Sequence, residues 1–281
     1  MNRLKPHKRR DPFKSIYTVI LLILDILVIA PFVYMLILAL MEDNYSPIIT
    51  AKKLKESAYS LKNFYDVFFV DRYDRYLLNS VIVAALGAFI SVMLSTMAAY
   101  SFAKKKYRGR KTLHLIFSMT MMIPAGVMTV PLFLIVKKLG LAGSYLGLAV
   151  PVFTGAFGTL LIYSFMKGVP DELLESAELD GCGELGKFFL IIIPLVKSAM
   201  LSVAIFAIIN AWGQLLWPQI IAPSADMSTI TAAISRLRCD DMSNYGVIMA
   251  ASTIGFVPPL LVYSLLQKQF VESIAFSGTK G

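Results

Sequence analysis

The chain has little of what soluble chemistry draws on. Only 16% of its 281 residues are charged, and it holds two histidines, His7 and His114, and two cysteines, Cys182 and Cys239. Charge this sparse cannot cover the 57% of residues that are apolar, so a mean hydropathy of +0.68 excludes a water-soluble globule. A metal path through the 14 methionines would need cysteine or histidine interleaved with them, which two histidines do not supply. Runs such as SMTMMIP read as adaptable packing, and no metal, cofactor or catalytic residue is expected. No internal repeat is visible, which gives no support to an inverted-repeat transporter. Segments between apolar runs reach at most about 35 residues, too short for a self-supporting core, so any chemical drive must come from partners or an ion gradient.

What the chain does have is apolar length. Six stretches, near residues 16–41, 77–103, 112–136, 144–166, 195–217 and 247–266, are long enough to cross a hydrocarbon core as helices. The expected fold class is an all-α polytopic membrane protein with six transmembrane helices. The first stretch follows a basic start but is too long for a signal peptide and lacks a small-residue cleavage site, so it is read as a retained first span. The expected organisation is a basic tail over residues 1–15 and a membrane domain over 16–281.

Orientation follows from loop Lys and Arg. The tail carries Arg3, Lys5, Lys8, Arg9, Arg10 and Lys14, and KKKYRGRK lies between the second and third spans. Both belong in the cytoplasm, with loop 167–194 and both termini. Loops 42–76, 137–143 and 218–246 then lie outside; the first suits a short interfacial helix, and the third is placed to dip back toward the bundle. The net charge of +9 is accounted for by this topology and by anionic membrane lipid, with no nucleic acid needed. Cys182 and Cys239 fall on opposite sides, which forbids a disulfide between them.

Polar groups inside spans carry a default suspicion of function. Asp25, in LLILDILVIAP, is either a proton or cation site or a helix-packing hydrogen bond. Asn210 and Gln214, in INAWGQLLWP, are four apart and share a helix face. They either line a translocation path, with Trp212 or Trp217 offering a ring to stack on, or bond between helices beside an interfacial aromatic belt.

The stretch ELLESAELDGCGELGKFFLIIIPL, residues 172–195, is the anomaly. Six of the 18 acidic residues lie between 171 and 184. GCGELGKF has the glycine and lysine spacing of a phosphate-binding loop, with Gly181, Gly186 and Lys187. Phe188, however, stands where Ser or Thr would hold magnesium, and no strand precedes it. Pro170 and Asp171 instead start a short helix that Gly181 ends, with Leu173, Leu174 and Ala177 on one face. An acidic, one-faced helix on a cytoplasmic loop suits docking to a partner, because anionic lipid would repel it.

Glu175, Ser176 and Ala177, then Gly181, then Ile191, Ile193 and Pro194 follow the pattern E-A-A, three residues, G, nine residues, I-x-L-P. This loop resembles that of the permease subunits of bacterial binding-protein-dependent ABC importers, and Asp180 before Gly181 resembles the carbohydrate, maltose-type branch. The likeness extends over LNSVIVA, AAYSFAKKKYRGRKTL, NAWGQLLWP and LQKQFVESIAFSGTKG. Ser176, Ile193, Cys182 and Ser198 depart from the usual residues. The resemblance implies the type I importer permease fold. It implies one half of a heterodimer with a second permease subunit, a cytoplasmic ABC ATPase dimer that hydrolyses ATP on its own chains, and an extracytoplasmic solute-binding protein that delivers a sugar substrate. The ATPase-docking residues would be Glu175, Ala177, Asp180 and Gly181, and Asn210, Trp212 and Gln214 would be candidates for the substrate path. The competing readings are a proton- or cation-coupled secondary transporter using Asp25, and a channel or structural subunit.

Overall fold

The computed structural model describes residues 12–42, 44–153, 155–222, 224–237 and 244–278. Cys239 and the basic residues from Arg3 to Arg10 lie outside them. Apart from one antiparallel bridge between Met41 and Tyr59, the regular structure of the described residues is helical. The principal helices are α1 (Pro12–Leu40), α2 (Tyr73–Lys104), α3 (Arg110–Met119), α4 (Ala125–Lys138), α5 (Tyr145–Phe153), α6 (Ala156–Met166), α7 (Glu172–Leu179), α8 (Lys197–Gly213), α9 (Leu216–Ile221), α10 (Ile230–Leu237) and α11 (Tyr245–Gly278).

Among the described residues, three helices are long and apolar enough to cross a bilayer: Ile16–Leu40 in α1, all of α2, and Tyr245–Gln267 in α11. Three bent pairs raise the number to six if each is one span. The third apolar stretch, expected as one run over 112–136, divides where Ile123 turns extended (φ −84°, ψ 117°) ahead of Pro124, and its two parts meet at 108°. The pyrrolidine ring disfavours the helical conformation in the residue before it, and Ile123 leaves it here, so the break has a local contribution. α5 and α6 form the second pair. The fifth stretch bends by 79° between Glu184–Leu195 and α8, beside Pro194, so the straight helix starts at Lys197.

α2 is the axis of the bundle. Its buried positions include Ala84, Ala88, Ser91, Ser95 and Ala99, a stripe of small residues three or four apart that lets neighbouring backbones come close. Gly158 on α6 shows how close: a Cβ there would lie 2.9 Å from Val203 Cγ1 of α8 and 3.0 Å from Ser95 Oγ of α2. α1 packs on α11, where Phe32 and Phe256 stack with centroids 4.6 Å apart, and Leu38 and Ala39 near its end are fully buried, but residues 16–34 stay exposed within this chain.

The bundle has two unlike ends. At one, Asn79 Nδ2 donates to the carbonyls of Asp226 (2.7 Å) and Ser228 (2.9 Å), and Tyr145 donates to Asn79 Oδ1 (2.8 Å). α10 folds back onto this end, with Ile230 and Ala232 fully buried, as the apolar middle of segment 218–246 suggests. Segment 42–76 holds two short helices, Ala51–Glu56 and Lys62–Tyr65. The other end carries the acidic loop.

Candidate functional site

α7 begins just after Pro170 and Asp171 and stops on a glycine, as the local signals require. Gly181 has φ +80°, in the left-handed region, and an added Cβ would meet nothing within 4 Å. Its N–H donates to Glu178 O (3.0 Å) and that of Cys182 to Ala177 O (2.8 Å), so two orphan carbonyls of the last turn are satisfied by a Schellman closure. Glycine is needed here for its backbone freedom and not for space.

Eight residues make a helix too short to hold itself, and none of α7 is fully buried. Leu174 packs against the cluster of Tyr100, Met166, Val169 and Phe188, and Ala177 is half-buried beside it. Leu173, expected on that face, is 45% exposed. At about 100° per residue it points sideways, while Leu174 takes the apolar contact.

The six acidic side chains divide by face. Asp171, Glu178 and Glu184 turn to the bundle and pair with lysines. Lys104, the last residue of α2, reaches Asp171 Oδ1 (2.6 Å) and also donates to Val169 O. Lys187 reaches Glu178 Oε2 at 2.6 Å and Glu184 Oε1 at 3.5 Å. Glu184 is also paired with Lys105 and accepts from Tyr100 OH (3.1 Å). Glu172, Glu175 and Asp180 are exposed and have no ion pair among the described residues. Glu172, Glu175 and Leu179, the last 90% exposed, recur at helical spacing on the outward face.

Hydrogen bonding and charge from Lys104 hold Asp171 below the usual carboxylate range; Lys105 does the same for Glu184, against a smaller opposing effect of burial. The bond to Glu178 raises Lys187. The carboxylates keep this pairing until pH falls through their depressed values, and Lys187 keeps its own until pH rises through its elevated one. The pairing therefore persists across neutral pH.

The lysine that a phosphate-binding loop would offer to nucleotide is thus occupied. Its side chain is only 6% exposed and already holds two carboxylates, while Phe188 packs on Tyr100 with centroids 5.5 Å apart. Counting Lys104 and Lys105 only toward orientation missed their pairing; the readable signal was a basic run and an acidic run destined for one side.

The other candidates lie elsewhere. Gln214 Nε2 donates to Asn210 Oδ1 (2.9 Å) at the far end of α8, and both are accessible. Trp212 is buried in the core and donates to Gly255 O (3.0 Å); Trp217 donates to Gly147 O (2.9 Å). Asp25 is exposed on α1.

A many-helix bundle that exposes one braced acidic helix at one end, and a long apolar helix face over residues 16–34 at its side, has the form of a membrane subunit that works with partners. Residues 91–275 match the family described as binding-protein-dependent transport system inner membrane component, and the chain belongs to it. It is a transport subunit of an ABC importer, not an enzyme, in the bacterial cytoplasmic membrane. It is 30% identical over 209 residues, 74% of each chain, to the arabinooligosaccharides transport system permease protein AraQ of Bacillus subtilis (strain 168). The polygalacturonan/rhamnogalacturonan transport system permease protein YtcP of the same organism is 29% identical over 288 positions, covering 93% of this chain and 96% of that one. The sn-glycerol-3-phosphate transport system permease protein UgpE of Pectobacterium atrosepticum is 30% identical over 203 residues, 72% of each chain. The fold matches, at a TM-score of 0.78 and 19% identity, a chain of a bacterial ABC transporter involved in the import of the acidic polysaccharide alginate, covering 96% of this chain and 100% of that one.

Proposed function

We propose that this chain is one half of a heterodimeric permease that carries a sugar or oligosaccharide inward, with α7 docked in a basic groove of a cytoplasmic ABC ATPase. The observation that carries the docking assignment is the division of the acidic side chains. Three are paired with lysines that hold the helix, and Glu172, Glu175 and Asp180 have no ion pair among the described residues. A desolvated partner lysine or arginine would find Glu175 in the middle of that face, with Ala177 keeping the helix close to the bundle and Gly181 turning the chain back toward the membrane. The Lys104 pairing supports the cytoplasmic side for loop 167–194, since it joins that loop to the basic segment after α2.

The carbohydrate class is supported by the cargo named for AraQ and YtcP. The accessible Asn210 and Gln214 pair would meet substrate hydroxyls, and Trp212 would back the wall of the path. The exposed apolar stretch of α1 over residues 16–34 is what a second permease half would cover, Asp25 included. The test is purification from detergent together with uptake of labelled maltotriose, arabinotriose and digalacturonate. An ATPase, a second permease of related sequence and energy-dependent uptake of a glycan are expected. Purification of the chain alone, with no glycan uptake lost on its deletion, would end the reading.

A second expectation separates ATP from an ion gradient as the drive. Collapsing the proton gradient at constant ATP leaves uptake largely intact, and Asp25→Asn keeps substantial activity, because one acid without a relay partner makes a poor proton path. Uptake that fails on both counts would favour the proton- or cation-coupled secondary transporter.

A further inference from the structure

We infer that Lys104 and Lys187 are positioning residues which pin the two ends of α7 to α2, so that a displacement delivered to α7 moves the bundle with it. The inference rests on the docking role of α7. It adds that the joint between docking helix and membrane span is electrostatic, and that the lysine of the phosphate-loop-like GCGELGK is one of its two anchors.

Burial separates these pairs from ordinary surface ion pairs. An exposed Lys with an exposed acid contributes little, because solvent screens both. Here the acids are exposed but the lysine side chains are not, at 5% for Lys104 and 6% for Lys187. An ammonium so enclosed and left without its carboxylate is costly, so the acid is held where the lysine is. Lys104 fixes Asp171, the residue that opens α7, while its bond to Val169 O fixes the chain just before it. Lys187 fixes Glu178 in the last turn. Glu184 joins this second anchor to Lys105 and to Tyr100 of α2, so both ends of α7 return to the same span.

Little else could transmit a push. α7 has no fully buried residue, only Leu174 and Ala177 are part-buried, and the glycines at 181 and 183 follow directly. A helix tethered by that contact alone would rock on Leu174. One charge-assisted bond at each end, Lys104 to Asp171 and Lys187 to Glu178, restrains that rocking.

The experiment measures the joint by paired spin labels. Leu173→Cys, at the side of α7, and Met97→Cys, exposed on α2, are labelled in the purified importer on a Cys182→Ser, Cys239→Ser background. With both lysines present, the distance between labels is one narrow distribution, unchanged by ATP with vanadate, because helix and span move together. In Lys104→Ala with Lys187→Ala the distribution is about twice as wide or more, and shifts with ATP and vanadate. Lys104→Arg with Lys187→Arg, which keeps both charges, stays narrow, which a loop merely damaged by substitution would not do. A distribution in the double alanine variant as narrow and as nucleotide-insensitive as in the parent, or one equally broad in the double arginine variant, overturns the inference. Failure of the docking role is seen separately, as an importer whose ATPase is retained regardless of Glu175.

Discussion

Glu175→Lys should leave the chain in the membrane at near-normal amounts, yet lower both uptake and retention of the ATPase by well over tenfold. Glu175 is exposed, in the middle of the outward face of α7, and makes no ion pair with the described residues, so its loss removes nothing that holds the fold. A desolvated charge-assisted contact is worth about 1.5 to 3 kcal/mol, and about 1.4 kcal/mol is a factor of ten in affinity. Reversal also sets two cations against each other, so the effect exceeds simple removal, and Glu175→Gln should fall between parent and Lys. The measurement is the ATPase recovered on gentle purification, beside uptake and the amount of permease in the membrane. Glu178→Lys provides the contrast within the same helix: it frees Lys187, so it acts on the attachment of α7 instead of on the partner. Normal uptake and a fully retained ATPase with Glu175→Lys would remove the docking assignment.

Much of this arrangement is legible in the sequence, and what is not has a physical reason. The span in α1 and the whole of α2 are legible because their apolar runs exceed what a soluble helix can hide. α7 is legible at both ends, since Pro170, Asp171 and Gly181 are local signals whose meaning does not depend on the rest of the molecule. The 108° bend at Ile123 is half legible: Pro124 disfavours a helical residue before it, as Pro131 and Pro194 do without breaking their helices there, and the angle taken depends on packing against other helices. Leu173 and Leu174 are adjacent and stand about 100° apart around the helix, so a run of two leucines and an alanine does not decide which leucine takes the apolar contact. The partners in the long-range ion pairs are not legible, although a basic run and an acidic run bound for one side are. Lys104 lies 67 residues from Asp171 and Lys105 lies 79 from Glu184, so only the tertiary fold brings them together. Trp212 had equal claims to the substrate path and to packing from sequence alone; its bond to Gly255 O ties it to α11, 43 positions away.

Gly181→Val should also abolish uptake and retention of the ATPase, and the series Asn, Ala, Val at this position shows why. The left-handed conformation at φ +80° costs an ordinary L residue about 1 to 2 kcal/mol, and a β-branched one more, while asparagine adopts it with less strain. Space is not the issue, because an added Cβ meets nothing within 4 Å. If valine drives the residue out of that conformation, the N–H groups of Gly181 and Cys182 leave the carbonyls of Glu178 and Ala177, and the last turn of α7 opens. Glu178 sits in that turn, so its pairing with Lys187 is lost with it, and the chain no longer arrives at Glu184 in position for Lys105. One dihedral angle therefore controls both the shape of the docking helix and one of its two anchors. Uptake and retained ATPase should rank glycine, then asparagine, then alanine, then valine. If valine and asparagine proved equally active, a positive φ would not be required at this position. If asparagine were as inactive as valine, the requirement would be for an absent side chain at the docking surface, and the cause would then lie in contact with the partner instead of in the backbone.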